Sequence, residues 1–271
     1  MTIKKDSSGH RSIEVEVEVP GTPEEVWKAI ATGPGISSWF VPSTVEEKVD
    51  GEAKSNFGPG MESVGKVKVW SPPGKLEIET VEESGKVATE WIVEARAGGT
   101  CVVRVVHRWF AETDDWDQQF EGHGEGWKAF FRILRLYLTH FSGEPCSQIQ
   151  LTGFGAEPKS AVWASMFGLL GLTNPAVGTR IVTDPAALSF AGIVERTGES
   201  AYPEELLLRL DAPTHGIAHL FAMPMGGQVL LSIRFFLYGP EAAAVAAQVE
   251  PSWQAWIAHN FPMVLPGSTN C

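Results

Sequence analysis

One pattern occurs twice in this chain, and it limits the possible folds more than any other feature. Arg108-Trp109-Phe110 stands 19 residues before Trp127-Lys128-Ala129-Phe130. Arg234-Phe235-Phe236 stands 19 residues before Trp253-Gln254-Ala255-Trp256, an offset of 126 throughout. Nearer the front, Val26-Trp27 matches Val162-Trp163 at an offset of 136, so the second copy is about ten residues shorter between its first helix and its last strands. Two separated patterns at one spacing indicate an internal duplication, and 271 residues suffice for two domains of ordinary size. Ser142-Gly143-Glu144-Pro145 is the linker-like break between the copies, which puts the domains at 1–143 and 146–271.

Each copy reads as α+β. Residues 13–19 alternate valine or isoleucine with glutamate, the mark of a strand with one face buried. Thr22 with Pro23 and Glu25 forms a capping box that opens a short helix, whose inner face carries Val26, Trp27 and Ile30. Gly33-Pro34-Gly35 is expected to break it, ahead of a second short helix carrying Ile36, Trp39 and Phe40. Strands are expected at 45–49, 65–70, 75–81, 87–94 and 101–110, separated by turn signals at 71–74, 83–85 and 98–99. Beyond Asp114 the period changes. Trp127, Phe130, Phe131, Leu134, Leu138 and Phe141 recur every three or four residues, which describes a long amphipathic helix. Gly122, Gly124 and Gly126 cost about 1 kcal/mol each in a helix, so they are expected either in a loop before it or at a close approach to the sheet.

An ordered set of positions in the first copy resembles the START-like helix-grip (SRPBCC) superfamily, and within it the branch similar to the activator of the heat-shock-protein-90 ATPase. The set runs from Val26-Trp27 through Trp39-Phe40, Gly65, Pro72-Pro73 and Leu76 to Gly99-Thr100, with His107 seven residues later. It ends at His123-Gly124-Glu125-Gly126-Trp127, which enters the last helix. The second copy shares only the outline, with Val249 where His123 stands and Ser252 in place of Gly126. The resemblance implies two tandem helix-grip domains, each a curved antiparallel sheet wrapped around a long C-terminal helix, with a ligand cavity between the two. It also implies a range of activities: binding of lipids, hormones or polyketides, polyketide cyclisation or aromatisation, and binding to a chaperone.

Strand parity selects the cavity side. Arg104 and Arg108 are expected to face water, which turns Val103, Val105, His107 and Trp109 toward the helix. Glu90 and Glu94 outward likewise turn Thr89, Trp91 and Val93 inward. His107 is expected roughly opposite Trp91. Trp39, Phe40, Phe57, Trp70, Trp91, Val105, His107, Trp109, Trp127, Phe130 and Phe131 are therefore the candidate ligand-binding residues. His107 is the one candidate for acid–base chemistry, and a core histidine bonded to a neighbour is the plainer reading. The same alignment gives the second copy a more aliphatic face of Ile217, His219, Phe221, Leu231 and Ile233, with Met166, Phe167, Leu169 and Leu170 as filler.

His215 and His219 have the four-residue spacing of a helical zinc pair. The repeat puts them on a strand instead, about 13 Å apart at 3.3 Å per residue, so no metal site is expected. Cys101, Cys146 and Cys271 form no paired motif, and nucleotide, P-loop, zinc-protease and serine-hydrolase signatures are absent from the sequence. A net charge of −12 disfavours nucleic acid, and the apolar stretch 161–172 is short of a membrane span. Glu14, Glu16 and Glu18 read as a solvated face. The expectation is a cytoplasmic binding protein for a small apolar or amphipathic ligand, with no cofactor and without conventional enzymatic activity. A co-chaperone-like interaction module, with a protein partner or self-association, is the first alternative, and a cyclase/aromatase-like enzyme is the second.

Overall fold

The computed structural model describes residues 4–5, 10–58, 60–82, 85–110, 117–156, 158–199 and 202–263. The chain divides into two compact units, Met1–Gly143 and Glu144–Cys271.

In the first unit, β1 (Lys4–Lys5) and β2 (His10–Pro20) lead into α1 (Pro23–Ala31) and α2 (Gly33–Ser37). The meander β3 (Ser43–Val45), β4 (Glu52–Asn56), β5 (Glu62–Ser71), β6 (Lys75–Glu82), β7 (Gly85–Arg96) and β8 (Thr100–Phe110) follows, and α3 (Asp117–His140) closes the unit. The sheet is antiparallel, in the order β1-β2-β8-β7-β6-β5-β4-β3. The N-terminal strand thus pairs with the last strand, and α3 lies over β2.

The second unit repeats this plan. It comprises β9 (Cys146–Gly155), α4 (Lys159–Leu169), β10 (Arg180–Val182), β11 (Ala191–Glu199), β12 (Tyr202–Ala212), β13 (Gly216–Met225), β14 (Gln228–Tyr238) and α5 (Ala242–Asn260). The sheet order β10-β11-β12-β13-β14-β9 again sets the first strand beside the last. The tandem helix-grip duplication read from the repeat is therefore present in the topology, and Trp127 and Trp253 stand on the two closing helices.

Local signals account for the elements and for their departures from expectation. The Thr22 capping box forms as read, with Thr22 N donating to Glu25 and Glu25 N to the Thr22 hydroxyl. Gly33-Pro34-Gly35 starts α2 rather than separating it from α1, because the Thr32 hydroxyl caps Gly35 N. That helix ends at Ser37, so Trp39 and Phe40 sit in the turn after it. The strand expected at 45–49 is not formed: only Val45 lies in a strand, at the end of β3, and 46–51 make the reversal before β4, with Asp50 at φ 60°. Gly122, Gly124 and Gly126 lie within α3 and not in a preceding loop. A Cβ on Gly126 would meet nothing, so no close approach requires this glycine. The side chain of His123 lies outside the described residues.

The second core is continuous. Met166 and Leu170 are fully buried in it, Phe167 packs against it and Leu169 is exposed. Gly153 lets α5 settle on β9, since a Cβ there would come within 2.6 Å of the Phe261 Cβ. One sequence expectation fails in this unit. Ala218, Leu220 and Ala222 of β13 face the core with Leu231 and Ile233, while Ile217, His219 and Phe221 occupy the opposite face. Trp91 opposes Val105 in the first unit, but the partner of Leu231 is Ala222, five positions beyond what a constant offset requires. An odd change in hairpin length turns every side chain of a strand over.

Candidate functional site

The helix-facing surface of the first sheet is a lattice of directly opposed residues on β2, β8 and β7. Its successive rows are Val17–Val103–Val93, Val15–Val105–Trp91, Ile13–His107–Thr89 and Arg11–Trp109–Val87. Val103, Val105, His107 and Trp109 are all buried, while Arg104 and Arg108 point to the other face as parity required. There Arg104 meets Glu14, Glu16 and Glu94 at 3.1–3.4 Å, and Arg108 meets Glu90 at 2.9 Å. The acidic residues of β2 are thus partly occupied: Glu18 accepts from the Thr100 hydroxyl and Glu14 meets Lys4.

Seven candidate rings gather over these rows. Trp91 meets Trp39, Trp127 and Phe131 edge-on, with centroids 5.9, 5.0 and 6.1 Å away. Phe40 meets Phe57 and Phe130 edge-on, at 5.4 and 4.3 Å, and lies nearly parallel to Trp127 at 5.3 Å and 13°. Trp39 is anchored by its indole N–H, which donates to the Ala29 carbonyl. These rings pack against one another, the arrangement aromatic quadrupoles favour. Burial is graded across them: Trp39, Trp91 and Phe131 are buried, whereas Phe57, Trp127 and Phe130 are only half-buried. A cleft of about 200 Å³ between β2 and α3, lined by Val15, Glu16, Val17, Lys128, Phe131 and Arg132, reaches the cluster at Phe131.

The remaining candidates divide. Trp109 packs with Ile13 and Val87 beneath Trp127, one row further along the floor. Trp70 pairs edge-on with Trp27 at 5.1 Å and makes no described ring contact with the seven. His107 stands opposite Thr89 rather than Trp91, because the three-residue turn at 97–99 sets the register, and its Nδ1 lies 2.9 Å from the Thr89 hydroxyl. The sequence reading missed Arg11, which is 5% exposed on the helix-facing surface opposite Trp109. The alternation that begins at Ile13 extends one step back to Arg11, so parity carried the signal. The hydrophilic character of arginine masked it.

In the second unit His215 precedes β13 and meets Glu144 at 2.8 Å, while His219 meets Glu205 at 3.2 Å. Arg234 is buried on the same face as His219, over the Phe221 ring, and burial brings its guanidinium down to about 10. Among the described residues no group of three or more His, Cys, Asp or Glu side chains is placed to hold a metal ion, and no helix is long and apolar enough to cross a membrane.

Residues 10–134 match the family model described as polyketide cyclase / dehydrase and lipid transport. No curated protein matches the chain. Among solved structures, CalU16 from Micromonospora echinospora is similar to the chain at 20% identity, over 51% of this chain and 83% of its own, with a TM-score of 0.42. The Aha1 dimer from Colwellia psychrerythraea is similar at 20% identity, over 49% and 98%, with a TM-score of 0.41. The di-domain ARO/CYC BexL is similar at 13% identity, over 94% and 100%, with a TM-score of 0.45.

Proposed function

We propose that the first unit, whose residues 10–134 match the family model described as polyketide cyclase / dehydrase and lipid transport, holds a small apolar or amphipathic ligand among the rings at the seam of α3 and the sheet. The observation that carries this reading is the graded burial of the cluster. Phe57, Trp127 and Phe130 show aromatic surface to solvent while touching the buried rings of Phe40 and Trp91. A plain core would place its largest rings deepest, and apolar surface left at a rim suits a binding site. The nearly parallel Phe40 and Trp127 give the ligand its place. Parting them from 5.3 Å to about 7 Å, twice the carbon contact distance, would sandwich a planar group. The cleft between β2 and α3 is the proposed way in.

1-Pyrenebutanol tests the reading, because pyrene accepts energy from tryptophan. Saturable binding near one probe per chain, with quenched tryptophan emission, is the expected result. Trp127→Ala is expected to weaken it roughly tenfold through the lost ring contact. Unsaturable binding, or binding indifferent to Trp127→Ala, overturns the proposal.

The family description also includes cyclases, and His107 with its bonded Thr89 lies on the floor of the same site. A cyclase reading therefore stands second. It requires turnover of a poly-β-ketone analogue that His107→Gln abolishes while 1-pyrenebutanol still binds.

A further inference from the structure

We infer that the site has a polar end, formed by Arg11, His107 and Thr89, that selects ligands carrying a carboxylate. The inference rests on the ligand-binding reading above and adds the chemical class of the ligand.

Of the four rows of the lattice, two are wholly apolar, and the polar side chains fall together in the adjacent pair Ile13–His107–Thr89 and Arg11–Trp109–Val87. Arg11 and His107 are diagonal neighbours on one face, a relation that puts Cα atoms roughly 7–8 Å apart. Both are buried, at 5% and 7% exposure. Trp127 of the ring cluster packs against the group of Ile13, Val87 and Trp109 in these two rows, so the polar end adjoins the aromatic end.

The second unit supplies the control. Its equivalent rows are Gly153–Leu231–Ala222, Leu151–Ile233–Leu220 and Ile149–Phe235–Ala218. Where the first unit has Arg11, His107 and Thr89, the duplicate has Ile149, Ile233 and Leu220, all fully buried. The same scaffold thus folds with an apolar floor, and the fold itself does not require a buried arginine. Retaining a desolvated cation is costly unless anionic or acceptor groups meet it. A guanidinium carries five donors in a rigid fork, so it can hold a protein partner and still offer N–H groups to a ligand oxygen. The Thr89 hydroxyl at the His107 Nδ1 fixes the orientation of the imidazole, with Nε2 on the opposite side of the ring.

The test compares 1-pyrenebutyric acid with 1-pyrenebutanol, which share a ring system and differ in the terminal group. The wild type is expected to bind the acid roughly tenfold or more tightly, the scale of a charge-assisted contact. Arg11→Met should remove that preference and leave the alcohol's affinity nearly unchanged, and Arg11→Lys should restore part of it. Competition by hexadecanoate and by 2-naphthoate distinguishes an alkyl from a planar natural ligand, and either one displacing the acid supports the inference. Equal affinity of the wild type for the two probes overturns it without any variant. So does an Arg11→Met protein that loses both probes equally, or displacement of the acid by neither competitor. If neither probe binds the wild type, the ligand-binding reading itself fails, and that result is distinct from equal binding.

Discussion

Trp91 on β7 and Trp127 on α3 meet edge-to-face with ring centroids 5.0 Å apart and planes 88° apart. This contact ties the closing helix to the sheet, because Trp127 also stacks on Phe40 and packs beside Phe131. Trp127→Ala is expected to destabilise the first unit by about 2–4 kcal/mol, the lower part of the range for large-to-small aromatic changes because the ring is only half-buried. It should also reduce the near-ultraviolet circular dichroism of the tryptophans. Trp70→Ala, which breaks only the described pair with Trp27, should leave most of that signal in place. Urea unfolding together with near-ultraviolet spectra checks both.

On the opposite face of the same sheet, Glu90 is 4% exposed and bonded to Arg108 and Lys75. Burial pushes its carboxyl up. The hydrogen bonds and charges of Arg108 and Lys75 outweigh that and leave it below its ordinary value of 4.5. A carboxylate with a lowered folded pKa contributes stability that is complete above the unfolded value and is lost as pH falls through the folded one. Glu90→Gln is therefore expected to cost about 1–3 kcal/mol near neutral pH, the scale of hydrogen bonds to charged groups. The difference from wild type should narrow once the pH drops below about 4. Parallel thermal melts at about pH 7 and about pH 3.5 measure the convergence, and a constant gap would contradict it.

The repeat and the strand periodicity made the architecture legible, since a 126-residue offset and alternation of period two survive divergence of individual residues. The helix-facing surface of β8 was legible for the same reason, because two outward arginines left no other place for His107 and Trp109. Three things were not. The partner of His107 depended on the length and centre of the turn at 97–99, which composition does not set. The face of β13 depended on an odd change in hairpin length between the copies. Arg11 was hidden because patterning treats arginine as a surface residue, although the alternation from Ile13 already turned it inward, where its pairing with Trp109 places it. Each of these turns on one residue of register or on one polar side chain inside, where composition carries little information.

The grip of the second unit rests on a position with no side chain. A Cβ at Gly153 would lie 2.6 Å from the Phe261 Cβ and about 3 Å from Ile257. Gly153→Val is expected to lift the end of α5 from β9 and cost about 1–3 kcal/mol or more by overpacking. The first-unit counterpart of this position is Val15, which lines the cleft. Hydrogen exchange should report loss of protection at β9 and α5 while β2 and β8 keep theirs. Matching loss in both units would mean that the two units do not unfold independently.

The final prediction uses adjacent residues on opposite faces of β8. Val105 is 1% exposed between Val15 and Trp91, in the row that carries the ring cluster. Arg104, its neighbour in sequence, faces away and meets three glutamates. Val105→Trp adds an indole where the floor is already filled. It is expected to cost about 1–3 kcal/mol and to abolish saturable binding of 1-pyrenebutanol. Arg104→Trp sacrifices only partly exposed ion pairs, each worth about 1 kcal/mol or less, and should leave binding nearly intact. The pairing controls for the tendency of apolar probes to bind loosened protein. Nonspecific uptake would rise without saturation in the less stable variant, which is opposite in direction to the expected loss. Equal, saturable binding by both variants would place the probe away from the helix-facing surface and shift attention to the charged face of the sheet.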